Sequence, residues 1–419
     1  MSRTSILIIS PLAFHENVGN AGAKTVNFYT TKFIEEGCFD ITICYLGDND
    51  SDYSKMISQF SKVKIYSVFA TKGLILKSYD YFRFKFLYPF LKAFSPKYYI
   101  TDNFAKERLV RGINNLKLAG LNPYMIIVEF PRIIYWIDEI KTVFPESKTV
   151  ASCHDVTFQS VERYFQQKHS NKYFSKIYID QYKKMEIKHL NSFDHVVILN
   201  EKDRLLLINE PTFSVKDTYV ISPFYDSYQI NPVIEKKDIM YFGALGRVEN
   251  VQALRWFLEN VWEKLDNLFL GALKFIVVGG GLNDVTKAEF SKYNNVVLKG
   301  FVKDPTTIFS GCFCSVVPLM LGAGIKIKVL DAMKSGIPVI TNNVGIEGIP
   351  GVDGLHYLHA ENAHDFYQQV VKLSNDKELQ KKLALGARLM VIENFNYRTS
   401  YDFYKNQLLE LANKYDYAN

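Results

Sequence analysis

Between Pro318 and Thr341 the chain reads PLMLGAGIKIKVLDAMKSGIPVIT, a stretch whose residue types could hold an anion. Gly322 and Gly324 flank Ala323, and Ile325, Val329, Ala332 and Met333 then recur at helical spacing, so a helix is predicted to begin at this loop. Glycines ahead of a helix N-terminus let the backbone approach a ligand closely and aim unpaired amides at it. Lys326 and Lys328 add positive charge there, and Asp331 brings a carboxylate one turn further in. A diphosphate with a hydroxyl-bearing ring beside it suits this set of groups. In isolation the same residues would also fit an ordinary βαβ turn with two solvated lysines, so the surrounding chain has to decide.

Other candidates lie in the first half. His154, after the apolar run Thr149 to Ser152, could donate to a substrate hydroxyl, take part in proton transfer, or only cap the following helix. The loop Pro11 to Gly22 precedes a helix expected from about Ala23 to Glu36 and offers amides at Gly22. It lacks the spacing of a Walker A loop or a dinucleotide fingerprint. Asp48, Asp50 and Asp52 have the look of a metal motif. A calcium loop fails there, because Tyr53 stands where its glycine is needed and Gln59 where its glutamate is needed. A solvated turn is expected instead, and no metal site.

The elements that must position these groups repeat one pattern. Ile6 to Ser10, Asp40 to Leu46, Met125 to Phe130, Thr149 to Ser152 and Asp194 to Leu199 read as buried strands separated by helices. Phe158 to Leu190 reads as helical, strongly basic and aromatic. Asn209 to Asp238 is polar, carries Pro211, Pro223 and Pro232, and reads as a linker. The pattern restarts at Ile239 to Ala244 and continues through Lys274 to Val278, Val296 to Leu298, Cys314 to Leu319 and Ile337 to Thr341. A long last helix is expected from Tyr401 to Lys414.

The bulk properties bound the function. The chain has 419 residues, 48% hydrophobic and 22% charged, enough for a full core in each half. A net charge of +6 is compatible with an anionic ligand or surface and too mild to argue for nucleic acid. Five cysteines without paired spacing, and no apolar stretch of about 18 residues, point to a reduced, cytoplasmic setting without a membrane span. Thr71 to Tyr99 interleaves aromatics with lysine and arginine, which fits docking on an anionic membrane face and equally fits packing into the first domain.

Taken in order, YFGALGRVENVQALRWF, FIVVGGG, VVLKGFVKD, SVVPLMLGAGIKIKVLDAMKSGIPVITNNVGIEGI and ENFNYRTSYDFY make residues 239 to 405 resemble a family. It is the retaining GT-B glycosyltransferases of family four, the glycosyl transferases group 1 type. The first half is similar more loosely, through its strand, glycine loop and helix start and through His154. The resemblance implies an α/β fold of two Rossmann-like, doubly wound domains facing each other across a cleft. On that pattern residues 1–210 bind the acceptor, 211–238 link, 239–395 bind the donor, and 396–419 form a helix crossing back to the first domain.

What the resemblance implies for chemistry is transfer from a nucleotide sugar, UDP- or GDP-linked, to a glycan, lipid-linked or other glycoconjugate acceptor with retention of configuration. It implies no divalent metal and no cofactor beyond the nucleotide-sugar co-substrate. Arg247 matches the family's phosphate arginine, and Gln252 stands where its lysine partner would be; Lys326 or Lys328 is expected to restore that charge. Asp331 matches the second acid of the paired-acid motif, and Ala323 replaces the first. Gly322, Gly324 and Ile325 are the loop positions at the donor, His154 matches a histidine near the donor sugar, and Gly22 matches the amino-terminal glycine loop. Arg247, Lys328 and His154 are the expected catalytic residues. The setting is cytoplasmic or peripheral on the inner face of the membrane, in surface-polysaccharide assembly. A sugar-nucleotide epimerase and a non-catalytic partner subunit stay open as alternatives.

Overall fold

The computed structural model describes residues 3–18, 21–47, 50–68, 103–167, 172–223, 237–302 and 306–413. Thr71 to Tyr99, Gly19, Asn20, Asp48 and residues 224–236 of the expected linker lie outside the described residues. The chain divides into two compact units, one running to Ile221 and resuming at Tyr401, the other spanning Ser222–Ser400.

The first unit is built on seven parallel strands: β1 (Thr4–Ser10), β2 (Phe39–Tyr45), β3 (Lys64–Ser67), β4 (Met125–Glu129), β5 (Lys148–Cys153), β6 (His195–Ile198) and β7 (Thr218–Val220). Their order is β3-β2-β1-β4-β5-β6-β7. Such strands are covered by helices on both faces, which is why β1, β4 and β6 are near-continuous apolar runs. Leu7, Ile126, Val128, Ala151 and Val196 form the middle of the core, with Trp136 and Ile140 packed over them. The order reverses between β1 and β4, which pair in register through Ile6 and Met125. A crevice at the C-terminal ends of two such strands is where doubly wound sheets bind ligands.

The second unit repeats the plan with β8 (Asp238–Phe242), β9 (Phe275–Val278), β10 (Val296–Gly300), β11 (Cys312–Val317), β12 (Val339–Thr341) and β13 (Leu358–His359). The order β10-β9-β8-β11-β12-β13 is the Rossmann order, with its reversal between β8 and β11. The loops after β8 and β9 interlock here. A Cβ on Gly279 would lie 1.8 Å from the Gly243 carbonyl oxygen, and one on Gly281 would lie 2.4 Å from the Gly246 nitrogen. Only glycine lets these two backbones meet.

Two expectations need correction and one is refined. Asn209 to Asp238 is not linker throughout, because Thr218–Val220 pairs with β6 and extends the first sheet past residue 210. The helical stretch Phe158 to Leu190 is refined to two helices, Thr157–Gln167 and Lys172–Leu190. Asp52 does not sit in a solvated turn: the helix Asp50–Gln59 contains it, and its carboxylate meets His15 at 3.4 Å and Lys55 at 3.2 Å.

The last helix, Tyr397–Asn413, joins the first unit from Tyr401 onward. Tyr404 meets Tyr29 edge-on at 5.2 Å, Tyr401 lies 5.5 Å from Phe33, and Lys405 pairs with Glu36 at 2.9 Å. All three partners belong to the helix Ala21–Glu36. Phe403 is partly exposed and meets Tyr219 at 6.1 Å. All five cysteines are free. Among the described residues no helix is long and apolar enough to cross a membrane.

Candidate functional site

The loop after β11 ends one residue pair later than its sequence predicts. The helix runs Ile327–Lys334, and Lys326 at φ −95°, ψ 88° is its non-helical N-cap. Ile325 therefore belongs to the loop, and its side chain packs against the second core. Gly322 at φ 116° and Gly324 at φ 67° hold the left-handed backbone that brings the chain round to this helix, which side chains resist.

This geometry separates the two lysines. Lys326 is buried and turns back on its own loop, where Nζ donates to the Gly324 carbonyl and lies 3.4 Å from the Glu347 carboxylate. It is a neutralised strut of the loop rather than the solvated cation of an ordinary βαβ turn. Glu347 follows the short helix Asn343–Ile346 beyond β12 and was not singled out by sequence.

Lys328 points the other way. Its stem passes beside Gly243, and Nζ donates to Oδ1 of Asn250 at 2.6 Å and to the Tyr241 hydroxyl at 3.3 Å. The ammonium also lies 5.1 Å from the centre of the Tyr241 ring. None of these partners is a carboxylate. Burial pushes the Lys328 pKa down to about 7, and the nearby charges of Lys326 and Arg247 push the same way, against a smaller pull from Glu249. A charged lysine in this position lacks an anion.

Arg247 is the N-cap of the helix Val248–Phe257 that follows β8. Its side chain is 64% exposed and pairs with Glu249. Asn250 closes the loop between them, its side-chain amide donating to the Ala244 carbonyl at 2.8 Å and its main-chain carbonyl oxygen accepting from the Tyr241 hydroxyl at 3.0 Å. Asn250 and Tyr241, unread in the sequence, thus join the β8 loop to the β11 helix. Gln252 lies on the same helix as Asn250 with its amide oxygen buried and without a hydrogen-bond partner. Asp331 is half-buried on the Lys328 helix, one turn on, and Ala323 leaves no carboxylate at the loop tip.

In the first unit, the structure pairs His154 with a residue that the sequence did not mark. Glu129 ends β4 and is 1% exposed, and its carboxylate meets Nε2 of His154 at 3.2 Å. The imidazole stacks on Phe130 at 4.2 Å, and its Nδ1 is buried with no partner. Phe130 itself is held at φ 72°, a strained conformation for an aromatic residue. The hydrogen bond between Nε2 and the buried carboxylate fixes the ring and turns Nδ1 away from Glu129. Gly22 is the second residue of the helix Ala21–Glu36, not a loop residue before it. Its amide is one of the first-turn donors that have no partner within the helix.

Two parallel sheets in Rossmann order, with cations gathered at the reversal of the second, define a GT-B protein. Residues 236–376, in the second unit, match the model of the family described as Glycosyl transferases group 1. The resemblance read from the sequence holds there. The chain is similar to TarM of S. aureus, solved as a mutant with fondaparinux, alpha-GlcNAc-glycerol and UDP (TM-score 0.65, 16% identity, 98% of this chain and 100% of that one). It is also similar to sucrose-phosphate synthase from Thermosynechococcus elongatus (TM-score 0.69, 13% identity, 100% of both chains). HepE of Anabaena, solved with UDP and glucose, matches at TM-score 0.65 and 11% identity over 97% of this chain and 100% of that one. A sequence relative is an uncharacterized 44.6 kDa protein in the cps region of Klebsiella pneumoniae, 24% identical over 234 residues. That match takes in 54% of this chain and 58% of the relative, so it spans little more than half of that protein's length.

Proposed function

We propose that this chain is a glycosyltransferase that moves a sugar from a UDP- or GDP-linked donor to a glycan, lipid-linked or other glycoconjugate acceptor with retention of configuration. The observation that carries this reading is Lys328: a part-buried ammonium with neutral hydrogen-bond partners, at the switch point of a parallel sheet, with Arg247 and Lys326 beside it. A diphosphate supplies the missing negative charge. As the bond from sugar to diphosphate lengthens, charge grows on the phosphate oxygens and the ring becomes oxocarbenium-like. Cations fixed at those oxygens then stabilise the transition state more than the ground state. Arg247 and Lys328 take that role, with the helix N-terminus at Ile327 adding amides. Lys326, fixed by Glu347, holds the glycine loop in shape. Asp331 is placed to accept from the donor's hydroxyls. His154, oriented by Glu129, acts on a sugar hydroxyl. No metal is assigned a role, since side-chain cations serve at the diphosphate.

The cps-region relative and the solved sugar-transfer neighbours favour a place in surface-polysaccharide assembly. Docking on an anionic membrane face belongs to the same reading through the composition of Thr71 to Tyr99. Flotation with anionic liposomes tests it, and salt-insensitive failure to float removes that part. The transfer itself is tested by turnover of nucleotide sugars by the purified protein, abolished in Arg247→Ala and Lys328→Ala. Normal turnover in those variants would overturn the site.

A second reading, a non-catalytic GT-B subunit, is favoured by Ala323 and by the neutral Gln252 where charge was expected. Donor binding without turnover, under any acceptor, would select it.

A further inference from the structure

We infer that Asn250 is a positioning residue that keeps Lys328 without a carboxylate partner, so that binding of a nucleoside diphosphate is coupled to uptake of a proton by that lysine. The inference rests on the donor-site reading above and adds to it a proton and a residue.

Three cations gather at the loops after β8 and β11, and two already have carboxylates. Arg247 pairs with Glu249 and Lys326 with Glu347. Lys328 is held by the Asn250 carbonyl oxygen, the Tyr241 hydroxyl and the Tyr241 ring. The charged groups bearing on it are Arg247 and Glu249 from the helix after β8 and Lys326 from its own loop, with repulsion outweighing attraction. Asp331 lies one turn along its own helix. The frame that fixes its ammonium therefore consists of two neutral acceptors and a ring face, with Glu249 a smaller attractive charge. Asn250 is buried, and its amide is committed to the Ala244 carbonyl, so the side chain cannot turn away.

In the free protein near neutral pH, Lys328 is divided between its amine and ammonium forms, consistent with a pKa of about 7. Two or more phosphate charges arriving beside it favour the ammonium and raise that pKa. The balance is simple: the amine takes one proton from solvent as the diphosphate binds, and no bond to carbon is made or broken. Below pH 6 the lysine is already charged and uptake vanishes. At pH 8 the phosphates of UDP are already ionised, so the proton counted belongs to the protein. Linkage then requires affinity to fall as pH rises above 7, by up to about tenfold per unit.

An aspartate at 250 would give Lys328 a permanent counter-charge, at the cost of the bond that the Asn250 amide donates to the Ala244 carbonyl. It would hold the lysine protonated before ligand arrives and oppose the incoming phosphates.

The test is calorimetric titration of the full chain with UDP, GDP and inorganic pyrophosphate at pH 8, in buffers of different ionisation enthalpy. The expected result is uptake of about half to one proton per bound nucleotide in the wild type. Uptake should be near zero in Asn250→Asp, with affinity lower by roughly tenfold. Binding without proton uptake in the wild type overturns the inference and leaves the donor site standing. Equal uptake in Asn250→Asp overturns the role of Asn250. Absence of binding by all three probes overturns the donor reading and the inference together. The wild-type measurement stands alone should the variant fail to fold.

Discussion

Nζ of Lys328 lies 2.6 Å from Oδ1 of Asn250, a part-buried ammonium on a neutral amide, joined across 78 residues of sequence. That contact ties the helix after β11 to the loop after β8, and it leaves the lysine electrostatically unfinished. The donor reading, the chemistry and the proton linkage all descend from it.

Lys328 makes the free protein's stability depend on pH in a defined direction. Its folded pKa of about 7 lies below the unfolded value near 10.4, so the unfolded chain binds more protons between those limits. Stability from this group therefore rises with pH from about 7 to 10, at up to about 1.4 kcal/mol per unit. Lys328→Met removes the dependence. Thermal unfolding at pH 6 and pH 9 should show the difference between variant and wild type shifting in the variant's favour at the lower pH.

Glu347 and Lys326 form a pair with both side chains almost fully buried. Glu347→Gln leaves the ammonium with the Gly324 carbonyl and no counter-charge from that side. Breaking such a pair costs on the order of 3 kcal/mol. Chemical denaturation should show that loss, and donor affinity should fall with it because the Gly322–Gly324 loop loosens.

The sheets were legible in the sequence because both faces of a buried parallel strand must be apolar, so Ile6 to Ser10 and Cys314 to Leu319 stand out as runs. β3 and β7 were not, because Lys64–Ser67 is part-exposed and Thr218–Val220 is three residues long. The glycine loop was readable from Gly322 and Gly324, whose positive φ no other residue type supplies cheaply. Which lysine faces inward was not. A shift of the helix start by two residues, to Ile327, decides it. Asn250, Glu129 and Glu347 escaped for a plainer reason. Each is defined by a partner distant in sequence, and one chain without its fold shows no pairings. Arg247 followed three residues later by a polar residue at a helix start was the only local hint of Asn250.

Tyr404 separates packing from polarity in the returning helix. Its ring meets Tyr29 and Phe33, while its hydroxyl is buried without a partner. Tyr404→Ala should cost about 3 kcal/mol or more through the cavity it leaves. Tyr404→Phe should be neutral or slightly stabilising, since it removes an unsatisfied polar atom. Denaturation midpoints of the two variants measure both, and equal losses would contradict this account of the hydroxyl.

His154 and Glu129 predict a graded effect on catalysis. His154→Ala should lower kcat by about a hundredfold if the imidazole moves a proton, and by about tenfold if it only accepts a hydrogen bond. Glu129→Gln keeps the shape of the pair and replaces the carboxylate that holds Nε2 with a neutral amide. It should move kcat in the same direction by less, with KM for the donor little changed. Steady-state kinetics with the donor identified by binding give the answer.

The most direct measurement is a thermal-shift panel of nucleotide sugars on the wild type and on Lys328→Met. A ligand bound only by the folded chain raises the melting temperature with its concentration. The account predicts that one nucleotide sugar stabilises the wild type strongly and leaves Lys328→Met nearly unmoved. A wild type that no nucleotide sugar stabilises, or a variant stabilised as much as the wild type, would contradict it.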